Sequence, residues 1–170
     1  VGLIGYGNTG KSFAKKLIGF DVNTIYYDIK KIEKDNYANP VSLNYLKDNS
    51  DIISLHISMT EESIGLINKN FIESCAKPFW LINTSRGSCI IINDLVKGLK
   101  DGKVLGAGLD VIAFEKKSFE KLTVNENDQS NLNYLNSSNN VILTPHIAGW
   151  TQESKIRLVK IALEKIKKLL

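Results

Sequence analysis

An apolar run, Val1-Gly2-Leu3-Ile4, leads straight into Gly5-Tyr6-Gly7-Asn8-Thr9-Gly10 and then into a helix-like run beginning near Lys11. A glycine-rich turn between a buried strand and a helix start aims free backbone N–H groups, and the positive end of the helix dipole, at one point. A pyrophosphate fits there. In this reading Gly5 permits the tight turn, Gly7 lets phosphates approach the backbone, and Gly10 lets the helix pack closely on the strand. The next strand-like run, Thr24-Ile25-Tyr26-Tyr27, ends at Asp28. That is close to the roughly 20-residue spacing at which a carboxylate reads a ribose 2′-hydroxyl. Turn and acid together predict a dinucleotide site; the plainer alternative is an ordinary tight turn with a surface aspartate.

Strand-like and helix-like segments alternate along the rest of the chain. A polar stretch runs to Pro40, a short helix spans Leu43 to Lys47, and an apolar strand spans Asp51 to Ile57. A helix over Lys69 to Cys75 leads past Pro78 to a strand at Phe79 to Asn83. Asn93 is expected to cap a helix from Asp94 to Lys100 that Gly102 ends. A strand follows from Val104 to Val111, and residues 116–140, polar and rich in asparagine, read as a long loop with one helical turn near Phe119. The last strand, Val141 to Thr144, stops at Pro145, and Thr151 to Leu170 reads as a long amphipathic helix. Strands this apolar, separated by helices, predict an α/β fold: a doubly wound parallel sheet of Rossmann type. Residues 1–150 would form this domain and 151–170 a C-terminal helix leading away from it.

With 170 residues and 43% hydrophobic content the chain can bury one core. The net charge of +4 comes from scattered lysines that suit a solvated helix face, so a nucleic-acid partner is not expected. No apolar run reaches the ~18–20 residues that span a bilayer, so no membrane partner is expected either. Cys75 and Cys89 are isolated, without C-x-x-C spacing, which points to buried thiols in a reducing, cytoplasmic setting and to no metal site. Val1 already belongs to a strand and the last helix lacks a stop signal, as expected of a domain from a longer protein.

Ligands of an open parallel sheet gather at the carboxyl ends of its strands. Of 22 basic residues only Arg86 and Arg157 are arginine, and Arg86 follows a strand in Asn83-Thr84-Ser85-Arg86-Gly87. Guanidinium offers a rigid two-pronged fork for a carboxylate, although a structural ion pair would use it equally well. Both histidines also follow strands, His56 after Leu55 and His146 after Thr144. Asp110 ends another strand and Glu115 lies in the loop beyond it. An acid, a histidine and an arginine on one sheet edge suit proton transfer, because a carboxylate beside an imidazole stabilises its protonated form. The plainer readings are a satisfied structural histidine at 146, a turn residue at 110 and a solvated charge at 115.

The order of these segments resembles the nucleotide-binding domain of the D-isomer-specific 2-hydroxyacid dehydrogenases. It rests on the Gly5–Gly10 turn, Asp28, the loop from Leu55 to Thr60, Ile82 to Gly87, Gly106 to Val111, and Thr144 to Gly149. The resemblance implies a catalytic trio of Arg86, Glu115 and His146. Arg86 would hold the substrate carboxylate, His146 would carry the hydroxyl proton, and Glu115 would tune His146. It further implies cofactor contacts from Asn8, Thr9, Asp28, His56, Ser58, Thr60, Thr84, Asp110 and Gly149, with NAD favoured over NADP because a 2′-phosphate would meet Asp28. Ser58 stands where the family usually has proline, and the stretch after Glu115 lacks the usual Glu-Pro pair. The run Gly149 to Ser154 is most similar to phosphoglycerate dehydrogenases, implying serine biosynthesis; glyoxylate or hydroxypyruvate are the competing substrates. The resemblance also implies a homodimer, and a second, substrate-closing domain without which this domain turns over little. A rival from another class is a non-catalytic NAD-sensing module of the same fold.

Overall fold

Seven parallel strands lie in the order β3-β2-β1-β4-β5-β6-β7. The computed structural model describes residues 1–30, 35–113 and 126–168, with Asn127 described by its backbone only. The strands are β1 (Gly2–Ile4), β2 (Ile25–Tyr27), β3 (Asn39–Pro40), β4 (Ile52–Leu55), β5 (Phe79–Asn83), β6 (Val104–Leu109) and β7 (Val141–Leu143). The helices are α1 (Asn8–Leu17), α2 (Leu43–Asn49), α3 (Lys69–Ser74), α4 (Ile92–Lys100), α5 (Glu126–Ser137) and α6 (Gln152–Lys167). The sheet reverses its winding between β1 and β4, the place where an open α/β sheet leaves a crevice at its carboxyl edge. This is the doubly wound parallel sheet expected from the alternation of apolar strands and helices.

The strands are central because their side chains are apolar on both faces. Leu3, Ile53, Leu55, Phe79 and Leu81 are fully buried. The larger core joins these strands to α2, α3 and α4 through Leu46, Phe71, Ile72 and Leu95. A smaller one collects Leu3, Tyr6, Ala14, Tyr26 and Ala38 around the first strand and helix.

Three expectations change. The helix near residue 93 starts earlier, at Ile92, and its N-cap position is Ile91 without a side-chain cap. Asn93 sits inside the first turn and accepts a hydrogen bond from Asn131 instead. The polar stretch ahead of β7 is not all loop, because α5 occupies Glu126–Ser137. That helix carries almost no amphipathic pattern; it is fastened by fully buried Leu135, by Asn131 against Asn93, and by the Lys100 ammonium 4.8 Å from the Tyr134 ring centre. The turn expected near Phe119 falls outside the described residues. Finally, β3 adds a two-residue edge strand at Asn39–Pro40, where proline is tolerated because an edge needs no second ladder donor.

Candidate active site

All strands being parallel, every described candidate segment leaves the same edge of the sheet. The glycine turn leaves β1, Asp28 leaves β2, His56 to Thr60 leave β4, Thr84 to Arg86 leave β5, Asp110 leaves β6 and His146 leaves β7.

The turn has the division of labour its glycines imply. Gly5 adopts φ +92°, and a Cβ there would stand 2.5 Å from the His56 carbonyl oxygen. A Cβ on Gly10 would stand 2.4 Å from the Gly5 carbonyl oxygen, so helix and turn touch backbone to backbone. Gly7 differs: a Cβ would meet nothing within 4 Å. Its surroundings are open, and α1 starts at this point with no side-chain cap and no acid in its first turn. The first amides of a helix have no partner inside it. Open space beside uncapped donors fits the phosphates of a dinucleotide, and exposed Asn8 and Thr9 border it. Asp28 lies across the turn, with Oδ2 accepting from the Tyr6 amide at 2.7 Å and Oδ1 from the Lys30 amide at 2.8 Å.

The loop after β4 presents Ser58 and Thr60 outward. Thr60 also opens a short turn at Glu61–Ser63 through a reciprocal capping box with Ser63. His56 is partly buried. Its Nε2 lies 3.0 Å from Ser54 Oγ, its ring packs 5.1 Å from that of Phe13, and burial pushes its pKa down to about 4. The imidazole therefore packs beneath α1 as a neutral, partly buried group.

Arg86 and His146 are tied together through the backbone. Buried Asn83 organises the turn before Arg86: its Oδ1 accepts from the Ser85 amide and hydroxyl, and its Nδ2 donates to the Arg86 carbonyl at 3.0 Å. The Asn83 carbonyl accepts from the Asp110 amide, and the Asp110 carbonyl accepts from the His146 amide, both at 2.9 Å. Gly87 is required because a Cβ there would stand 2.1 Å from the Ile112 carbonyl carbon. Arg86 itself is exposed, its Nη1 donating to the Ser85 carbonyl at 2.6 Å; Thr84 beside it is exposed too.

His146 is exposed and holds φ +54°, a left-handed conformation that a non-glycine residue adopts at a cost of order 1–2 kcal/mol. Asp110 maintains it. The Asp110 carboxylate accepts from Thr144 Oγ1 at 2.6 Å and from the Ile147 and Ala148 amides at 2.8 and 2.9 Å. Burial alone would raise this carboxyl; those three donors outweigh it, helped by the neighbouring His146, and hold the pKa below its ordinary value. Only 4% exposed, Asp110 clamps the His146 turn with its carboxylate. Gly149 follows on the exposed rim, where its carbonyl accepts from Ser154 Oγ at 2.5 Å. Glu115, the third member of the expected trio, lies outside the described residues. Asn83 and Thr144 were not singled out from the sequence, although a buried asparagine closing an apolar strand is a signal for a built turn. Among the described residues no cluster of His, Cys, Asp or Glu could hold a metal ion.

Residues 1–148 match the description "D-isomer specific 2-hydroxyacid dehydrogenase, NAD binding domain". The chain belongs to this family. It is 37% identical to a glyoxylate reductase of Thermofilum pendens over 95% of this chain and 45% of that protein. It is 36% identical to a hydroxypyruvate reductase of Thermotoga maritima over 98% of this chain and 51% of that protein. Among solved structures it resembles a D-lactate dehydrogenase from Aquifex aeolicus complexed with NAD and lactic acid, with TM-score 0.83 and 32% identity, covering 99% of this chain and 52% of that one. The chain thus spans about half the length of these relatives. NAD is the cofactor of this family's domain, and the residues around Gly7 and Asp28 fit it.

Proposed function

We propose that this domain serves an NAD-dependent oxidoreductase that interconverts a D-2-hydroxy acid and its 2-oxo acid. The observation that carries the reading is the hydrogen-bonded path from Arg86 through Asn83 and Asp110 to His146, on the edge that also holds the glycine turn. A guanidinium and an imidazole held at one edge are the two groups such a substrate needs. Arg86 binds the carboxylate with two parallel N–H donors and draws electron density from the adjacent carbonyl. His146 donates a proton to the carbonyl oxygen during reduction and removes it from the hydroxyl during oxidation. When bound, the nicotinamide supplies or accepts the hydride. The backbone amides at the start of α1 and the Asp28 carboxylate hold and orient the dinucleotide, with Asn8, Thr9, Ser58, Thr60, Thr84 and Gly149 around it. Glu115 is proposed to favour the protonated imidazole.

The names of the relatives favour glyoxylate or hydroxypyruvate as substrate. 3-Phosphoglycerate, and with it serine biosynthesis, has only the run Gly149 to Ser154 in its support. The length of the relatives supports a further domain that closes over the substrate and excludes water, with α6 leading toward it and this domain alone turning over little. Exposed Trp80, Ile142 and Trp150, with the exposed apolar residues of α6, support burial against a second copy in a homodimer. No described helix is long and apolar enough to cross a membrane, and both cysteines are free and buried, which supports a cytoplasmic setting.

The test uses the full-length protein with Arg86→Lys and His146→Ala. Turnover of 2-oxo acids falls at least ~100-fold in each while NADH affinity stays within about threefold. Unchanged turnover, or none in the wild-type protein with NADH still bound, would instead assign the domain to NAD sensing.

A further inference from the structure

Tyr6, the second residue of the glycine turn, is completely buried and joins two carboxylates. Its backbone amide donates to Asp28 Oδ2 at 2.7 Å, while its phenol donates to Asp35 Oδ1 at 2.9 Å. The ring between them is stacked on Tyr26 of β2, with centres 3.8 Å apart and planes inclined by 8°. The Lys11 ammonium of α1 stands 5.7 Å from the same ring. Asp35 is built into its own loop as well, because Oδ1 also accepts from the Tyr37 amide at 2.9 Å and the Ala38 amide at 3.4 Å. Burial by itself would raise the Asp35 carboxyl, but these donors and the Lys11 charge hold its pKa below the ordinary value.

The geometry has a direct consequence for Asp28. Two amides fix that carboxylate, one from Lys30 on its own strand end and one from Tyr6 across the turn. The Tyr6 ring, stacked on Tyr26 and tied at its far end to Asp35, restrains the residue whose amide holds Asp28. We propose that Asp35, acting through the Tyr6 hydroxyl, is a positioning residue for Asp28, and so sets the preference for a ribose 2′-hydroxyl over a 2′-phosphate. A well-placed carboxylate accepts from the diol and repels a phosphate, whereas a carboxylate free to turn away does both less well. The proposal rests on reading this end of the sheet as the dinucleotide site.

Tyr6→Phe tests it with little disturbance, since the ring, its stack on Tyr26 and its contact with Lys11 all remain and only the hydroxyl is removed. Asp35→Ala removes the acceptor from the other side. NAD and NADP are titrated separately into the full-length wild-type protein, each variant and the double variant, by calorimetry. The affinity for NAD falls roughly three- to tenfold in either single variant, the worth of one hydrogen bond, while that for NADP does not fall. The preference narrows by the same factor, and the double variant loses no more than either single one, because both remove one interaction. Equal losses for NAD and NADP would make the contact merely structural and overturn the proposal. So would losses that add, or no change in either variant. If the wild-type protein binds neither dinucleotide, the reading of the site fails with it; if it binds NAD and the preference does not move, the positioning role alone fails.

Discussion

The His146 amide donates to the Asp110 carbonyl at 2.9 Å, and the Asp110 carboxylate takes the Ile147 and Ala148 amides that follow it. One residue at the end of β6 thereby fixes the turn that presents the imidazole after β7. The proposed proton carrier is placed by a neighbouring strand, not by its own loop alone.

Asp110→Asn removes the anion from three hydrogen bonds, each worth about 1.5–3 kcal/mol when one partner is charged. Allowing for partial replacement by the amide oxygen, the variant loses about 2–4 kcal/mol of stability at neutral pH and about tenfold or more in turnover. The loss depends on pH. The folded carboxyl has its pKa below the ordinary 3.8, so its stabilisation is present above that value and disappears as pH falls through the folded one. Urea denaturation of both proteins from pH 7 down through pH 3 shows the gap narrowing once pH falls below about 3.8; a gap that is unchanged throughout contradicts this role.

The last two glycines of the turn, Gly7 and Gly10, separate ligand from fold. Gly10→Ala places a methyl 2.4 Å from the Gly5 carbonyl oxygen and is expected to cost about 1–3 kcal/mol. Gly7 already has φ −76°, which any residue adopts, and a Cβ there meets nothing within 4 Å. Gly7→Ala therefore changes stability by less than about 1 kcal/mol but weakens NADH binding about tenfold or more. Thermal unfolding beside a fluorescence titration reads both. Equal stability losses in the two variants would be the wrong outcome.

His146 occupies a conformation suited to glycine, so two variants that both lack the imidazole should differ. His146→Gly is expected to be about 1 kcal/mol more stable than His146→Ala, because φ +54° costs alanine and not glycine. Neither turns over. Chemical denaturation ranks them, and alanine proving the more stable would show that the turn relaxes away from this geometry.

Burial lowers the pKa of His56 to about 4, from an ordinary 6.5. The unfolded chain binds a proton there that the folded chain refuses, so stability rises with pH between these values and is complete above 6.5. His56→Gln removes this dependence. Between pH 7.5 and pH 5 the wild-type protein loses about 1–2 kcal/mol more than the variant. Parallel losses in the two would place the imidazole in water.

The elements most legible in the sequence are those whose signal is local and apolar. Phe79 to Asn83 forms the strand its residues announce, and Gly5, Gly7 and Gly10 differ in the three ways their motif implies. Helix α5 escaped because its stability comes from outside it: it packs against α4 and β7 with Leu135 fully buried in the main core, while its other residues are largely polar. β3 is two residues long, one of them proline, and is a strand only because β2 offers it a partner. At the site, residue types and strand ends were readable, but side-chain directions were not. His56 turns inward to Ser54, two residues back along the chain, and Asp110 spends its carboxylate on the His146 turn, a contact that depends on a register between segments that no spacing encodes. The Tyr6–Asp35 bond joins residues 29 apart for the same reason.

The most direct test is a calorimetric titration of NADH into the folded full-length protein, wild-type and Asp28→Ala. A turn built around open Gly7 and fastened to Asp28 predicts saturable binding at one site per chain, weakened about tenfold or more by the substitution. No heat and no saturation up to millimolar NADH in the wild-type protein would contradict the account at its base.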